Sequence, residues 1–408
     1  MTATRAAAAP PRLVAAICTA QGLTQVGAFS VPLLLPELIQ LWRLSNTEAG
    51  WILGISAATY MLAVPVLTAA TDRVDSRWIY LPSALIYAVS YLGFAAFADG
   101  FWTALLFRAL SGVGWAGLYM PGLKALSDWV QGPGQSRAVA KHAAAIGLTN
   151  SLSFAFAGLV AAVAGWRWSV ALSGFGGLAA FAIVAFALPP RRPEPSTGHL
   201  LDFRPVLRNR SSLAYSICYC VHTWEMGALR NWLIAFLAFV AGGASTGLLT
   251  PTVIATAMGL LGTWASVTGN EWSIRFGRSR FVTVVFVASM ALAAGVGWSA
   301  ALPYEAAVGL CVLWGYLIWS DSSSLTAGSL GSALPGQRGS TMAVHSTLGY
   351  AGGFLGPLFV GVVLDLAGGP SPLGWGLAFG HVALALIAGP VALALLRPAD
   401  LAGDRPGK

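Results

Sequence analysis

The chain has 408 residues, of which 56% are hydrophobic and only 9% charged, with a mean hydropathy of +0.71. Soluble domains carry about a quarter charged residues, so a water-soluble fold of this size lacks the charge to cover its surface. This excludes a cytosolic enzyme, a disordered chain and a nucleic-acid-binding module, and it indicates a polytopic membrane protein. A bilayer core holds no water, so each span must satisfy its own backbone polar groups, in helices or in a closed barrel. The apolar runs here are long and do not alternate, which selects helices.

Taken in chain order, twelve windows reach the roughly 20 apolar residues that a helix needs to cross the ~30 Å core. They fall at 13–41, 48–71, 78–98, 102–127, 142–164, 168–188, 211–240, 247–270, 281–300, 304–332, 341–364 and 375–396. The leader before the first window holds Arg5 and Arg12. It has the charge of a signal peptide, but the following run is too long and shows no cleavage site, so it reads as a cytoplasmic leader. Between the sixth and seventh windows lies the longest polar stretch, Pro189 to Arg210, rich in proline and arginine. Such a composition makes a semi-rigid linker. The expected organisation is a six-helix bundle over 1–188, a cytoplasmic linker over 189–210 and a second six-helix bundle over 211–408.

The formal charge of +8 comes from 23 Lys and Arg against 15 Asp and Glu. With the N-terminus inside and the spans alternating, eighteen of the basic residues fall in inner segments. Only Arg43 and Arg167 fall outside, and Arg108, Lys124 and Arg230 lie within spans. Lys and Arg concentrate in cytoplasmic loops, so this asymmetry predicts both termini in the cytoplasm and an even number of spans. The expected location is the cell inner (plasma) membrane, multi-pass. The cysteines Cys18, Cys218, Cys220 and Cys311 sit in apolar stretches without metal-ligand spacing and read as packing thiols.

Two inner loops match in position within the two halves. The first reads Asp72-Arg73-Val74-Asp75-Ser76-Arg77 and the second Arg275-Phe276-Gly277-Arg278-Ser279-Arg280. Internal repeats of this kind mark two-half transporters. With these loops in place, the sequence resembles the major facilitator superfamily over its whole length. That family carries a G-x-x-x-D-R-x-G-R signature between helices 2 and 3. Asp72, Arg73 and Arg77 keep it, while Thr68 and Asp75 replace its glycines. Arg108, Gly112 and Gly114 fit the R-x-x-x-G-x-G pattern found in helix 4 of many proton-coupled members. Drug antiporters of the family place a Gly-Pro motif in helix 5. Here helix 5 has no proline, and a Gly-Pro segment appears instead in helix 11, at Gly352 to Pro357. The resemblance implies two bundles rocking about a midplane site.

Ionisable residues inside a membrane are costly and mark function by default. Arg108 lies about 9 Å into helix 4 at the helical rise. Trp115 and Tyr119 follow within about 20° of it around the helix. Together they read as a cavity wall for an anionic or carbonyl group. Helix 7 carries His222 and Glu225 three apart on one face, and Arg230 five further on. They read as a proton carrier beside an anion-binding arginine. Asp321, followed by a serine run in helix 10, is expected to pair with Arg230 or to bind protons. Gln21, Gln25, Asn150 and His345 are candidate polar linings. Asp72, Arg73 and Arg77 are read as gate residues that latch helix ends. Glu37 is read as near the outer surface, and Lys124 as a local partner of Asp128.

No phosphate-binding G-x-x-x-x-G-K-[ST] loop, His-Glu-x-x-His or Cys-pair motif occurs, so neither ATP hydrolysis nor a metal or other cofactor is expected. No nucleophile–base arrangement suggests an enzyme. The reading is a monomeric secondary transporter with partners limited to a small solute, protons and the lipid bilayer. It moves a small anion by alternating access with proton coupling, with substrate contacts from Arg108, Trp115, Tyr119, His222, Arg230, Gln25, Asn150 and His345. Glu225 and Asp321 carry protons. The alternative is proton-driven efflux of amphipathic compounds, favoured by the sixteen tryptophans and the Arg108 motif and opposed by the proline-free helix 5. A non-transporting membrane sensor is a third class.

Overall fold

A computed structural model of the chain describes residues 12–130, 133–191, 203–401 and 404. Arg5, Arg192, Arg405, Lys408 and most of the expected leader and linker lie outside the described residues. The elements are α1 (Leu13–Gln25), α2 (Ser30–Trp42), α3 (Asn46–Ala70), α4 (Ser76–Phe97), α5 (Phe101–Trp129), α6 (Pro133–Ala164) and α7 (Trp166–Ala187). A short α8 (Arg204–Arg208) precedes α9 (Arg210–Ala241), α10 (Pro251–Phe276) and α11 (Arg278–Val296), which ends in a 3₁₀ turn, Gly297–Ala301. Then come α12 (Tyr304–Ser320), α13 (Ser322–Gly331), α14 (Arg338–Leu366), α15 (Pro372–Leu386) and α16 (Ala388–Leu396). No strand occurs among the described residues.

Among the described residues, nine stretches are long and apolar enough to cross a membrane. The other three expected spans fall on α5, α9 and α12–α13. These are the helices that carry Arg108 and Lys124, Glu225 and Arg230, and Asp321. Polar side chains fix several boundaries. Ser45 and Glu48 form a reciprocal capping box at the start of α3, and Asn209, Thr250 and Ser371 cap α9, α10 and α15.

Some expected spans differ in shape. The first is broken over Val26 to Phe29, because the Tyr87 hydroxyl donates to the Thr24 carbonyl at 2.8 Å. That carbonyl would otherwise receive the Ala28 N–H, which turns to Gln25 O instead at 3.2 Å. The tenth expected span is interrupted at Asp321 and the twelfth at Ile387. The fifth begins at Pro133, well before residue 142. A hydropathy window sees only the apolar part of a helix, whereas Pro133 opens it and Arg137 and Lys141 continue it.

α4 packs against α5 and α7, α3 against α5, and α1 against α6 and α7. Later in the chain α9 packs against α13, α14 and α16, and α11 against α15. The two sets meet where α3 packs on α14, α6 on α10 and α2 on α9. At one end of the molecule α3 and α14 touch backbone to backbone. A methyl group at Gly361 would stand 2.1 Å from the Asn46 carbonyl oxygen, and one at Gly50 2.8 Å from that of Pro357. Here the Asp365 carboxylate accepts the Asn46 N–H at 3.0 Å, the Asn46 amide at 2.8 Å and the Thr47 N–H at 2.7 Å. It thus caps the first turn of α3 from another helix, where a negative charge is favoured. At the opposite end a cleft of about 600 Å³ lies between α3, α5 and α14, with Thr68, Asp72, Lys124, Gly339 and Ser346 on its walls.

Candidate functional site

The interior holds three polar groupings. In the first, Arg108 is buried at 7% exposure. Its Nε donates to the Ile52 carbonyl at 3.2 Å, Nη1 to the Tyr91 hydroxyl at 3.2 Å and Nη2 to Ser56 Oγ at 2.9 Å. Gly112 lets α5 come this close to α3, since a methyl group there would lie 2.0 Å from the Ser56 carbonyl oxygen. The guanidinium therefore binds three groups of its own neighbours, on α3 and α4.

Farther along α5, Trp115 stacks on Tyr119 at 5.6 Å with planes 5° apart, and Tyr119 stacks on His142 at 6.0 Å. The Trp115 indole N–H donates to the Tyr350 hydroxyl at 3.3 Å, and Tyr350 in turn stacks on Tyr60 at 3.7 Å. An aromatic layer from α3, α5, α6 and α14 thus crosses the molecule. The expected stripe of Arg108, Trp115 and Tyr119 exists, but its arginine and its rings serve different partners.

The second grouping lies on α9 and α12–α13. His222 Nδ1 stands 2.8 Å from Asp321 Oδ1, an ion-pair distance without hydrogen-bond geometry. His222 is 1% exposed, Asp321 2% and His345 1%. The Tyr219 ring stacks on His345 at 4.1 Å and on His222 at 5.6 Å. His345 also reaches Ser216 Oγ at 3.4 Å and Thr326 Oγ1 at 3.3 Å. The expected pairing of Asp321 with Arg230 is corrected: the carboxylate, at the junction of α12 and α13, lies against His222. Arg230 lies eight residues further along α9, about 12 Å at the helical rise. Glu225 points elsewhere and accepts the Trp314 indole N–H at 2.5 Å.

The third grouping surrounds Arg230. Its Cζ lies 3.6 Å from the Phe29 ring centroid and 5.7 Å from that of Trp319. It borders a small cavity of about 30 Å³ shared with Asn150, Phe154, Met226, Met258 and Ile318. The guanidinium is half-buried, and no hydrogen bond or ion pair joins it to another described residue; Asn150 Oδ1 is buried without a partner. Gln25 is apart from this cavity. It makes a long 3.5 Å contact to Thr24 Oγ1, beside a Gln21 amide that is wholly buried and unpartnered.

The residues read as a gate divide. Asp72 lines the cleft, and Arg73 is exposed. Arg77 instead binds within its own part of the chain, donating to Leu188 O at 2.6 Å and Ala185 O at 2.7 Å. The repeat loop does the same with different material. Arg278 grips the Asp404 carboxylate through two bonds of 2.8 and 2.9 Å and donates to Ser324 O at 2.8 Å. Lys124 pairs with Asp128 at 2.9 Å, and Glu37 is exposed. Among the described residues no group of three or more His, Cys, Asp or Glu is placed to hold a metal ion.

Nothing in the sequence pattern singles out Phe29, Tyr60, Tyr91, Tyr219, Trp314, Trp319 or Tyr350. Aromatic residues in apolar helices look alike whether they pack or line a site. The signal that was there is proximity to something unusual, such as Tyr350 just before the helix-11 Gly-Pro segment.

Long apolar helices, a cleft open at one end and charges buried between packed helices define a multi-pass membrane transporter. The chain belongs to the Major Facilitator Superfamily, whose sequence profile matches residues 17–357. Human protein spinster homolog 1 is 26% identical over 239 residues, which cover 55% of this chain and 45% of that protein. The match thus spans less than half the length of that relative. A bacterial homolog of the human lysosomal transporter Spinster, solved in an inward-facing, unoccupied conformation, superposes with a TM-score of 0.71 at 15% identity, covering 94% of each chain. A variant of the nucleoside transporter NupG gives 0.73 at 15% identity, covering 94% of this chain and 99% of that one. At such identities these two likenesses establish the fold.

Proposed function

We propose that the protein is a secondary transporter for an anionic solute, driven by protons and working by alternating access in the cell inner membrane. Twelve spans form two six-helix bundles, 1–188 and 211–408, joined by a linker over 189–210, with both termini in the cytoplasm. The observation that carries the reading is Arg230. Arg230 is half-buried among apolar side chains, and a guanidinium there without a protein acceptor favours an anion as its partner. Arg230 lies on a helix of the second bundle, and its neighbours Phe29 and Asn150 lie on the first. An anion bound there touches both moving parts.

His222 and Asp321 form the proton-coupling site of this reading. A buried imidazole–carboxylate pair changes its net charge when it takes a proton, and it lies on the same helix as Arg230. Glu225 is a second carrier, held by Trp314. Arg108, Trp115 and Tyr119 shape the first bundle's wall, and His345 orients the pair through Tyr219. Asp72 and Arg73 act at the cleft end, where the bundles part, and Arg77 fixes the start of α4 to the end of α7. The names of the relatives, a lysosomal transporter and a nucleoside transporter, support solute transport and leave the anion to rest on Arg230.

The test is uptake into proteoliposomes of labelled organic and inorganic anions, with and without an inside-alkaline pH gradient. The expected result is gradient-stimulated uptake of at least one anion, lost in Arg230→Ala. Undiminished uptake by Arg230→Ala overturns the site. The second reading, efflux of amphipathic compounds, is favoured by the apolar side chains around that arginine. Dye resistance conferred on a drug-sensitive host would select it.

A further inference from the structure

The surroundings of Arg230 say more than that the site is cationic. Its Cζ lies 3.6 Å from the centre of the Phe29 ring. That is the spacing of two stacked planes, and an edge-on N–H would hold the carbon farther away. Phe29 is itself pinned. Its backbone N–H donates to Ser153 Oγ at 3.0 Å, and its ring stacks on Phe154 at 4.9 Å with planes 14° apart. The residue ends the break between α1 and α2, so its position is set by the turn there and by α6, not by a continuous helix.

A guanidinium carries five N–H donors, all in its plane and none on its faces. With one face covered by Phe29, an acceptor must enter along the edge. Two parallel N–H groups there match the two oxygens of a carboxylate, phosphate or sulfonate with straight bonds, whereas a single-atom ion between them must bend both. The ring quadrupole attracts the cation at a place where no oxygen of a described residue hydrogen-bonds it.

We propose that Phe29 is a positioning residue for Arg230, and that it makes the site selective for oxyanions able to bind side-on over halides and over neutral molecules of the same size. The inference rests on the anion-site reading above and adds to it the geometry of the bound group and the residue that enforces it.

The test uses the full chain in detergent, with phenylglyoxal as the arginine reagent and peptide mass spectrometry to read modification at Arg230. Benzoate and phenyl phosphate are expected to protect Arg230 in the wild type, whereas chloride and benzyl alcohol are not. Phe29→Leu keeps the bulk and removes the π face. It is expected to raise the protecting concentration about tenfold, and Phe29→Trp to leave it within about twofold. If Phe29→Leu is protected as the wild type is, Phe29 has no positioning role and the anion site stands. If no anion protects the wild type, the anion site falls and this inference with it. Chloride protecting as well as benzoate overturns the side-on selection in the wild type alone, whether or not any variant folds.

Discussion

Two arginines, one in each part of the chain, lie inside helices with opposite fates. Arg108 spends three donors on Ile52, Ser56 and Tyr91. Arg230 rests on Phe29 with none of its donors taken by a described residue. Both look the same as sequence, a single cation in an apolar helix. On the proposed reading, a cation inside these helices serves the solute where its donors are left open. A cation whose donors are matched by neighbouring helices is part of the scaffold that holds the site.

The sharpest way to break this comparison is to remove each side chain in turn. Arg230→Ala is expected to lower proteoliposome uptake by about 100-fold, the worth of a charged, bidentate contact of about 3 kcal/mol. Thermal unfolding in detergent should hardly change, because no protein acceptor is orphaned. Arg108→Ala is expected to do the reverse in kind. It leaves the Tyr91 and Ser56 hydroxyls and a carbonyl without their donor, at about 1–3 kcal/mol for each group left buried and unpaired. The melting temperature should fall clearly. Arg108→Lys should recover only part of the loss, since an ammonium cannot span three acceptors on two helices. If Arg108→Ala is stable but inactive, the roles assigned to the two arginines are exchanged.

The helical class followed from composition, and the repeat loops around Asp72 and Arg275 carried the family. Arg230, Asn150, His222 and Asp321 all stood out as polar residues in apolar surroundings. What could not be read was who faces whom. The Asp321–His222 pairing depends on how α12–α13 lies against α9, and the break over Val26 to Phe29 depends on a tyrosine hydroxyl sixty residues away in the chain capturing one carbonyl. Helical phase relates residues on one helix and is silent across two. Phe29 was invisible for the same reason: its importance comes entirely from an arginine two hundred residues later.

A second pair of buried acids refines the distinction. Asp321 faces a histidine and Glu225 an indole. Asp321→Asn and His222→Ala are each expected to reduce gradient-driven uptake about tenfold while solute exchange without a gradient continues. The double variant should be no worse than either single one, because the two act as one unit. Glu225→Gln is expected to have the smaller effect of the acids, since an amide oxygen still accepts the Trp314 N–H. If Glu225→Gln alone abolishes the response to the pH gradient, the proton passes through Glu225 and the His222–Asp321 pair is structural.

The smallest expected effect concerns the two ends of α3, one held by Asp365 and one bordering the cleft. In the proposed alternating access the held end must release, so the Asp365 bonds to Asn46 and Thr47 are expected to set part of the balance between states. Asp365→Asn keeps an acceptor for one N–H but loses the charge at the helix terminus, about 1 kcal/mol. That free energy corresponds to about a fivefold change in the ratio of closed to open molecules. Spin labels at the exposed Arg43 and Leu366 positions, on that same end, read it as a gain in the longer-distance population. Asn46→Ala, which removes one donor and leaves the helix terminus and the carboxylate in place, should shift the ratio less. If Asp365→Asn leaves the distance distribution unchanged, then the close backbone packing of Gly50 and Gly361 holds that end shut, and the carboxylate only caps the helix.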